Sequence, residues 1–207
     1  MKETMEIERL ERGSIAGPQP SFSKYDILKT IQVMHRSGPL GRKKLSSILH
    51  LGEGSTRTIL DHLETAALVK KTKYGCELTT RGRRIAQKIA AKIAKEFILP
   101  ENELVAGRFV YGILIRDSAS KIANGIEQRD AAIKAGAKSA TTIVCRAGSL
   151  VVPPKTGPPV EKWDESLKMI YAKFEPQDDD VIIISGADDE SFAELGARAG
   201  SWTLLED

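Results

Sequence analysis

The chain has 207 residues, of which 41% are hydrophobic and 29% charged, and its formal net charge is +3. This composition is typical of globular proteins and excludes a largely disordered chain. The longest apolar runs, such as residues 181–184, are far shorter than the roughly 20 residues of a membrane-spanning helix, so we expect no membrane partner.

Three features predict a cytoplasmic protein without a metal or other cofactor. The N-terminal sequence mixes acidic and basic residues and lacks the apolar stretch of a signal peptide. Cys76 and Cys145 are distant in sequence, and two lone thiols are typical of the reducing cytosol. Neither the cysteines nor the three histidines have metal-ligand spacing.

The charge is divided unevenly along the chain. Residues 1–100 contain 19 basic and 10 acidic residues, a net charge of +9, whereas residues 101–207 contain 12 and 18, a net charge of −6. Such a difference indicates two modules with different partners, of which the first suits a polyanion.

Residues 1–20 are predicted to form a flexible arm, because charged residues there are followed by Gly17, Pro18 and Pro20. Ser23 is the expected N-cap of a first helix in which apolar residues recur at helical spacing. A second helix is predicted over residues 42–49, and the glycines of residues 50–54 are expected to supply a turn.

The third helix is predicted over residues 55–66. Thr56, Ile59, Leu60 and Leu63 share one face of it and should be buried. The opposite face is polar and consists of Ser55, Arg57, Thr58, Asp61 and His62. Two strands at residues 68–73 and 76–79 should follow, joined by a turn, and then a basic helix over residues 81–95.

This order resembles the winged helix-turn-helix superfamily over about a third of the chain. The resemblance is carried by four segments in sequence, namely residues 41–45, 51–60, 63–69 and 78–82. One departure is Ala67, where many relatives have a glycine after the third helix. Since alanine tolerates a positive φ less well, the exit from that helix is expected to differ.

The resemblance implies binding of double-stranded DNA, with the third helix in the major groove. Ser55, Arg57, Thr58 and Asp61 are then the base-reading candidates, and Arg57 is the strongest because a guanidinium can bond guanine O6 and N7 together. We expect phosphate contacts from Arg42, Lys43, Lys44, Lys70, Lys71 and Lys73, with His62 and Tyr74 beside them. Residues 23–95 carry 16 basic and 5 acidic side chains, which favours nucleic acid over a purely structural surface.

The second half of the chain predicts a small mixed α/β domain at residues 101–207, after the DNA-binding domain at residues 21–98. The whole chain is therefore expected to have an α+β fold. The predicted elements are, in order, a strand at 105–115, a helix at 126–135, a hairpin of strands 140–145 and 150–152, a proline-rich loop at 153–159, a helix at 161–174, a strand at 181–184, a helix at 189–200 and an edge strand at 202–205.

Two polar clusters in this half predict a small-molecule effector site, because ligands of open α/β sheets bind beyond the carboxyl ends of strands. The candidate ligand-binding residues are Arg116, Asp117, Asn124, Glu127, Arg129, Asp130, Ser185 and Asp188. The structural alternative is that Asp188 and Asp189 cap a helix while Glu127, Arg129 and Asp130 form surface pairs.

The whole chain also resembles an uncharacterised archaeal group that joins a winged helix to a small α/β domain, through residues 125–137. No phosphate-loop, hydrolase or zinc-protease motif occurs, so we expect no enzyme. We therefore predict a homodimeric transcriptional regulator, since operator half-sites mirror two-fold symmetry. The alternatives are a module that binds protein or RNA, and an enzyme for a small metabolite in residues 101–207.

Overall fold

The structure, a computed structural model, describes residues 2–12, 22–153 and 163–205. Two units divide the chain, Met1–Ala90 and Ala91–Asp207, which we call unit 1 and unit 2. The boundary between the units, after Ala90, lies about ten residues before the domain boundary expected near residue 100. The reason is that residues 93–99, partly assigned to a helix from the sequence, form a strand of unit 2.

Unit 1 has the predicted winged helix-turn-helix order, preceded by one further helix. Its helices and strands are α1 (Lys2–Arg12), α2 (Lys24–Ser37), α3 (Arg42–Leu49), α4 (Glu53–Thr65), β1 (Val69–Thr72), β2 (Gly75–Leu78) and α5 (Thr80–Lys92). β1 and β2 pair antiparallel and form the wing. The expected burial of Thr56, Ile59, Leu60 and Leu63 is confirmed.

The prediction of a flexible arm is wrong for residues 2–12, which form the helix α1. Thr4 and Ile7 are three residues apart and both buried, so one side of α1 packs in unit 1. Acidic residues of α1 add ion pairs, from Glu6 to Arg81 at 2.6 Å and from Glu8 to Lys24 at 2.7 Å. The rest of the expected arm lies outside the described residues.

The start of α2 is confirmed, and the Asp26 carboxylate in its first turn accepts two hydrogen bonds from Ser23. The Ser23 backbone N–H donates to Asp26 Oδ2 at 2.7 Å, and the Ser23 hydroxyl donates to the same oxygen at 2.8 Å. The predicted turn after α3 differs in its residues. The positive φ belongs to His50, at 55°, whereas Gly52 has φ −61° and Gly54 lies inside α4.

Unit 2 is a five-stranded sheet with helices on both faces. Its elements are β3 (Ile93–Leu99), β4 (Phe109–Ile115), α6 (Ile126–Lys134), β5 (Ser139–Arg146), β6 (Ser149–Val151), α7 (Asp164–Phe174), β7 (Val181–Ala187) and α8 (Glu190–Leu205). The strand order is β3-β4-β7-β5-β6, and every neighbouring pair is antiparallel. The predicted α+β class is confirmed.

The two faces of the sheet follow the alternation of side chains along its strands. Val110 and Leu114 of β4 belong to a buried cluster with Phe174 of α7. α6 and α8 cover the other face, where Ile183 of β7 lies close to Gly200 of α8. β7 is buried along its whole length because both of its faces are covered.

Two predictions for unit 2 need correction, and a third lies largely outside the described residues. The edge strand at residues 202–205 is wrong, because α8 continues to Leu205 with Trp202 fully buried. The first strand begins at Phe109 rather than at residue 105. The proline-rich loop and the start of the helix at residues 161–174 lie largely outside the described residues. Within the described part of the chain, no helix is long and apolar enough to cross a membrane.

Candidate nucleic-acid interface

The outer face of α4 carries the predicted base-reading side chains. Arg57, Thr58 and Asp61 are exposed and Ser55 is half-buried. They lie opposite the buried row that begins at Thr56, because residues three and four apart share a helix face. The Thr58 hydroxyl donates to the Gly54 carbonyl at 3.2 Å and is therefore engaged within α4. Arg57 has the longest side chain with hydrogen-bond donors on this face.

The wing turn presents the exposed pair Lys73 and Tyr74, with the Lys73 ammonium 5.0 Å from the centre of the Tyr74 ring. The Thr72 hydroxyl fixes the turn, because it donates to the Gly75 carbonyl at 2.9 Å and accepts from the Tyr74 N–H at 3.2 Å. Leu40, just before α3, exchanges two backbone hydrogen bonds with Cys76 at 2.9 Å. The wing is therefore held to the start of α3.

A cleft of about 350 Å³ lies where α3, α4 and the wing meet. Its walls include four of the predicted interface residues, which are Arg42, Arg57, Asp61 and Lys71. The sequence placed these residues on three separate elements, and the structure brings them together. Leu60 and Cys76 contribute to its lining.

Cys76 belongs to this cleft, and sequence reasoning did not identify it as an interface residue. Burial raises the pKa of the Cys76 thiol, while the nearby Lys71 ammonium lowers it by a smaller amount. The thiol therefore stays protonated at neutral pH and acts as a small apolar group. The alternation of Cys76 and Leu78 on β2 was the available signal for its burial.

Three of the predicted phosphate-contacting cations are paired with carboxylates. Lys71 Nζ lies 2.5 Å from Glu64 and 3.6 Å from Asp61, Lys70 lies 2.9 Å from Glu77, and Arg42 lies 3.5 Å from Glu53. The hydrogen bond and charge of Glu64 raise the pKa of Lys71. All of these groups are substantially exposed except Glu77, so the pairs are exchangeable surface contacts.

Four predicted interface cations form no ion pair with any described residue, and these are Lys43, Lys44, Arg57 and Lys73. All four are exposed. They offer their charge to a polyanion without first losing a carboxylate partner.

His62 has structural partners within unit 1, and its place at the interface stays a prediction. Its Nδ1 lies 2.7 Å from the Leu10 carbonyl oxygen, and its ring meets the Phe22 ring edge-on at 5.8 Å. The imidazole is thus engaged by α1 and the start of α2. The sequence could not show this contact, because residues 1–20 were expected to be an arm.

The two polar clusters of unit 2 are not brought together. Arg116 and Asp117 follow β4 at the end of the sheet where Ile115 pairs with Val181, whereas Asp188 follows β7 at the opposite end. Six residue steps separate these ends, about 20 Å. A shared effector site was predicted because the carboxyl ends of parallel strands meet at one edge of a sheet. In this antiparallel sheet, the carboxyl ends of β4 and β7 lie at opposite ends. Ser185 is buried within β7 rather than exposed in a loop.

Several of these candidates have structural partners. Arg116 pairs with the buried carboxylate of Asp180, and Arg129 pairs with Asp130 at 3.0 Å. Asn124 Oδ1 accepts the Ile126 N–H at 3.0 Å at the start of α6, where Glu127 is exposed. Asp189 accepts the Ser191 N–H at 2.8 Å and so caps α8. Their role in ligand binding stays a prediction.

A buried charge cluster in unit 2 has no counterpart in the sequence predictions. Arg198 of α8 lies 3.3 Å from Glu96 of β3 and 2.9 Å from Glu194, and its side chain is 4% exposed. Burial lowers the pKa of Arg198, but the charges of Glu96 and Glu194 outweigh it and raise the pKa above its usual value. Because Glu96 was expected within the DNA-binding domain at residues 21–98, the sequence offered no sign of its pairing with a residue of α8.

Two protein families match separate parts of the chain. The family described as "PH0730-like, N-terminal domain" matches residues 25–84, within unit 1. The "Domain of unknown function (DUF4443)" matches residues 104–204, within unit 2. No match to a curated protein was found.

Two solved structures are similar to this chain over different shares of its length. The chain is similar to the hypothetical protein PH0730 from Pyrococcus horikoshii OT3, with 28% identity and a TM-score of 0.70 over 89% of this chain and 93% of that one. A MarR family protein, RV2887 from Mycobacterium tuberculosis, has 19% identity and a TM-score of 0.31 over 44% of this chain and 63% of that one. At that score the second likeness carries no argument. Archaeal membership of this chain stays a prediction.

Proposed function

We propose that this protein is a DNA-binding transcriptional regulator, in which α4 of unit 1 enters the major groove and the wing contacts the phosphate backbone. The observation that carries the proposal is the convergence of Arg42, Arg57 and Lys71 on one cleft between α3, α4 and the wing. Helix-turn-helix proteins use this arrangement of elements to read DNA.

The exposed cations divide into two roles. Arg57 lies on the outer face of α4, where it would read base edges, because bidentate bonding to guanine discriminates between base pairs. Lys43, Lys44 and Lys73 lie on α3 and on the wing, where they would neutralise phosphates. Lys71 would leave Glu64 to contact a phosphate. Part of the free energy gained from the phosphate contact would therefore be offset by the loss of this ion pair.

Unit 2 is proposed as the dimerisation or effector module. Its part of the chain is acidic, with a net charge of −6 over residues 101–207, and this disfavours direct contact with DNA. A dimer would present two copies of α4 to successive half-sites, about 34 Å apart.

A titration of a short labelled duplex with the full chain, at several salt concentrations, tests the proposal. Four phosphate-neutralising cations per chain would give a slope of log K against log salt of about −4. The Glu64→Gln variant should bind more tightly and with a steeper slope, because Lys71 would lose its closer carboxylate and keep only the longer contact with Asp61. Glu190→Gln, an exposed acid at the start of α8, is the matched control and should leave binding unchanged.

Binding to single-stranded RNA in preference to the duplex would contradict the proposal and favour an RNA-binding module. Absence of binding to any nucleic acid at low salt would also contradict it, and would favour a winged helix that contacts protein.

A further inference from the structure

α6 has one buried side and one exposed side that carries apolar residues. Gln128 and Ala132 face inward and are buried where α6 packs against α8 and β5. Ile126 and Ile133 are 45% and 46% exposed. Seven residues make about two turns, so these two isoleucines form a ridge opposite the buried side.

Phe192 in the first turn of α8 adds a third apolar side chain to this surface. It is 48% exposed, and its ring lies so close to Gly136 that a Cβ atom there would come within 2.5 Å of the ring. Gly136 follows α6 directly after Ala135. We call Ile126, Ile133 and Phe192 the α6 ridge.

Two side chains of opposite charge lie beside the ridge, one near each end of α6. Glu127 in the first turn and Lys134 in the last turn are exposed and seven residues apart, so they flank the same edge of the ridge. Along the helix axis Arg129 and Asp130 lie between them and pair with each other at 3.0 Å, with Arg129 on the other side of the ridge. The edge that carries Glu127 and Lys134 is therefore acidic near the start of α6 and basic near its end.

We propose that the α6 ridge is the surface through which two copies of this chain associate, with α6 antiparallel to its copy about a two-fold axis. In this arrangement Ile126 packs beside Ile133 of the second copy, and Glu127 faces Lys134 of the second copy. The two-fold axis repeats both contacts, as in any isologous interface. A parallel arrangement about a two-fold axis would place both copies of Glu127 at one end of the contact and both copies of Lys134 at the other, so no acid would face a base.

This assignment rests on the dimer of the proposed function and gives it a surface, but it does not require DNA. α6 has nine residues and is about 13 Å long, so its contact is smaller than a standard interface. A weak dimer follows, and binding of both copies to adjacent half-sites would strengthen it through effective concentration.

Sedimentation equilibrium of the full chain without DNA tests the ridge. Ile133→Glu should weaken the dimer by at least about tenfold, because it places a charge in the centre of the contact. Tyr171→Asp is the matched control. Tyr171 is 41% exposed on α7, on the other face of the sheet, and its substitution should leave the dimer unchanged.

Charge reversal tests the antiparallel direction. Glu127→Lys and Lys134→Glu should each weaken the dimer, because each opposes two like charges across the axis. The double variant should restore it, and such rescue is the sign of a direct pair. Within one chain the two residues are about 10 Å apart along α6, so rescue within a single helix is not expected. Thermal unfolding of each variant checks that α6 remains folded.

A wild-type chain that stays monomeric at the highest concentrations would overturn the assignment and leave the ridge to a different protein. A dimer that is insensitive to Ile133→Glu, or a double variant as weak as the single ones, would overturn it as well. A monomer that binds DNA would reject only this assignment. A ridge-dependent dimer that binds no DNA would reject only the proposed DNA binding.

Discussion

Ala67 occupies the left-handed region of backbone space, with a φ of 57°, at the C-terminus of α4. Its N–H donates to the Glu64 carbonyl and the Leu68 N–H donates to the Leu63 carbonyl, both at 2.8 Å, which is the Schellman pattern. The departure noted in the sequence thus lies at the residue where a glycine would fit without strain.

Ala67→Gly should therefore stabilise the protein by about 0.5–1 kcal/mol, because relief of the left-handed strain exceeds the extra chain entropy of glycine. The neighbouring Ala66 has φ −78°, so Ala66→Gly is the control and should destabilise. Urea denaturation of both variants measures the difference, and an equal loss in both would show that Ala67 is unstrained.

Arg57 makes the residue-scale prediction about function. Arg57→Ala should cost about 1–3 kcal/mol of binding to the preferred sequence and should reduce discrimination between sequences. Arg83→Ala removes the same charge from the exposed side of α5, away from the cleft, and should lower binding to all sequences slightly. Competition titrations with two unrelated duplexes distinguish them. The same loss on both duplexes for Arg57→Ala would reject its base-reading role.

Residue types and helical spacing were sufficient to predict the buried row of α4, which is Thr56, Ile59, Leu60 and Leu63. They did not predict which cations of the interface are paired, because Glu64 and Lys71 come together only when the wing folds back beside α4. The same reason applies to His62, whose partner Leu10 belongs to a segment expected to be an arm.

Among the elements, β3 is attached to α8 through the buried cluster of Arg198, Glu96 and Glu194. Removing one partner of a buried pair leaves an uncompensated charge. Arg198→Met should therefore destabilise unit 2 by about 3–5 kcal/mol. Lys168→Met removes an exposed cation that pairs with Glu165, and it should leave the denaturation midpoint almost unchanged. Similar midpoints for the two variants would mean that the cluster adds no stability.

Most elements could be predicted from hydrophobic periodicity, and the exceptions have physical causes. β3 was hidden because residues 85, 89 and 93 continue the helical spacing of α5 into the first residue of the strand. The direction of the strands was also hidden, since pairing partners are distant in sequence. The assumed effector site depended on that direction.

At the scale of the whole molecule, the opposite charges of the two halves correspond to different proposed tasks. The basic half contains the cleft between α3, α4 and the wing, and the acidic half contains the α6 ridge. The net charges of the two halves predicted this difference, because a net charge is a sum over residues and does not depend on which residues are in contact.

Selection from a random duplex library at moderate salt, with the full chain, tests whether this protein is a sequence-specific regulator. We expect an enriched motif with two-fold symmetry and half-sites about one helical turn apart. The motif should lose definition when Arg57 is replaced by alanine. Recovery of unenriched sequences, or of no duplex at all, would contradict a sequence-specific regulator.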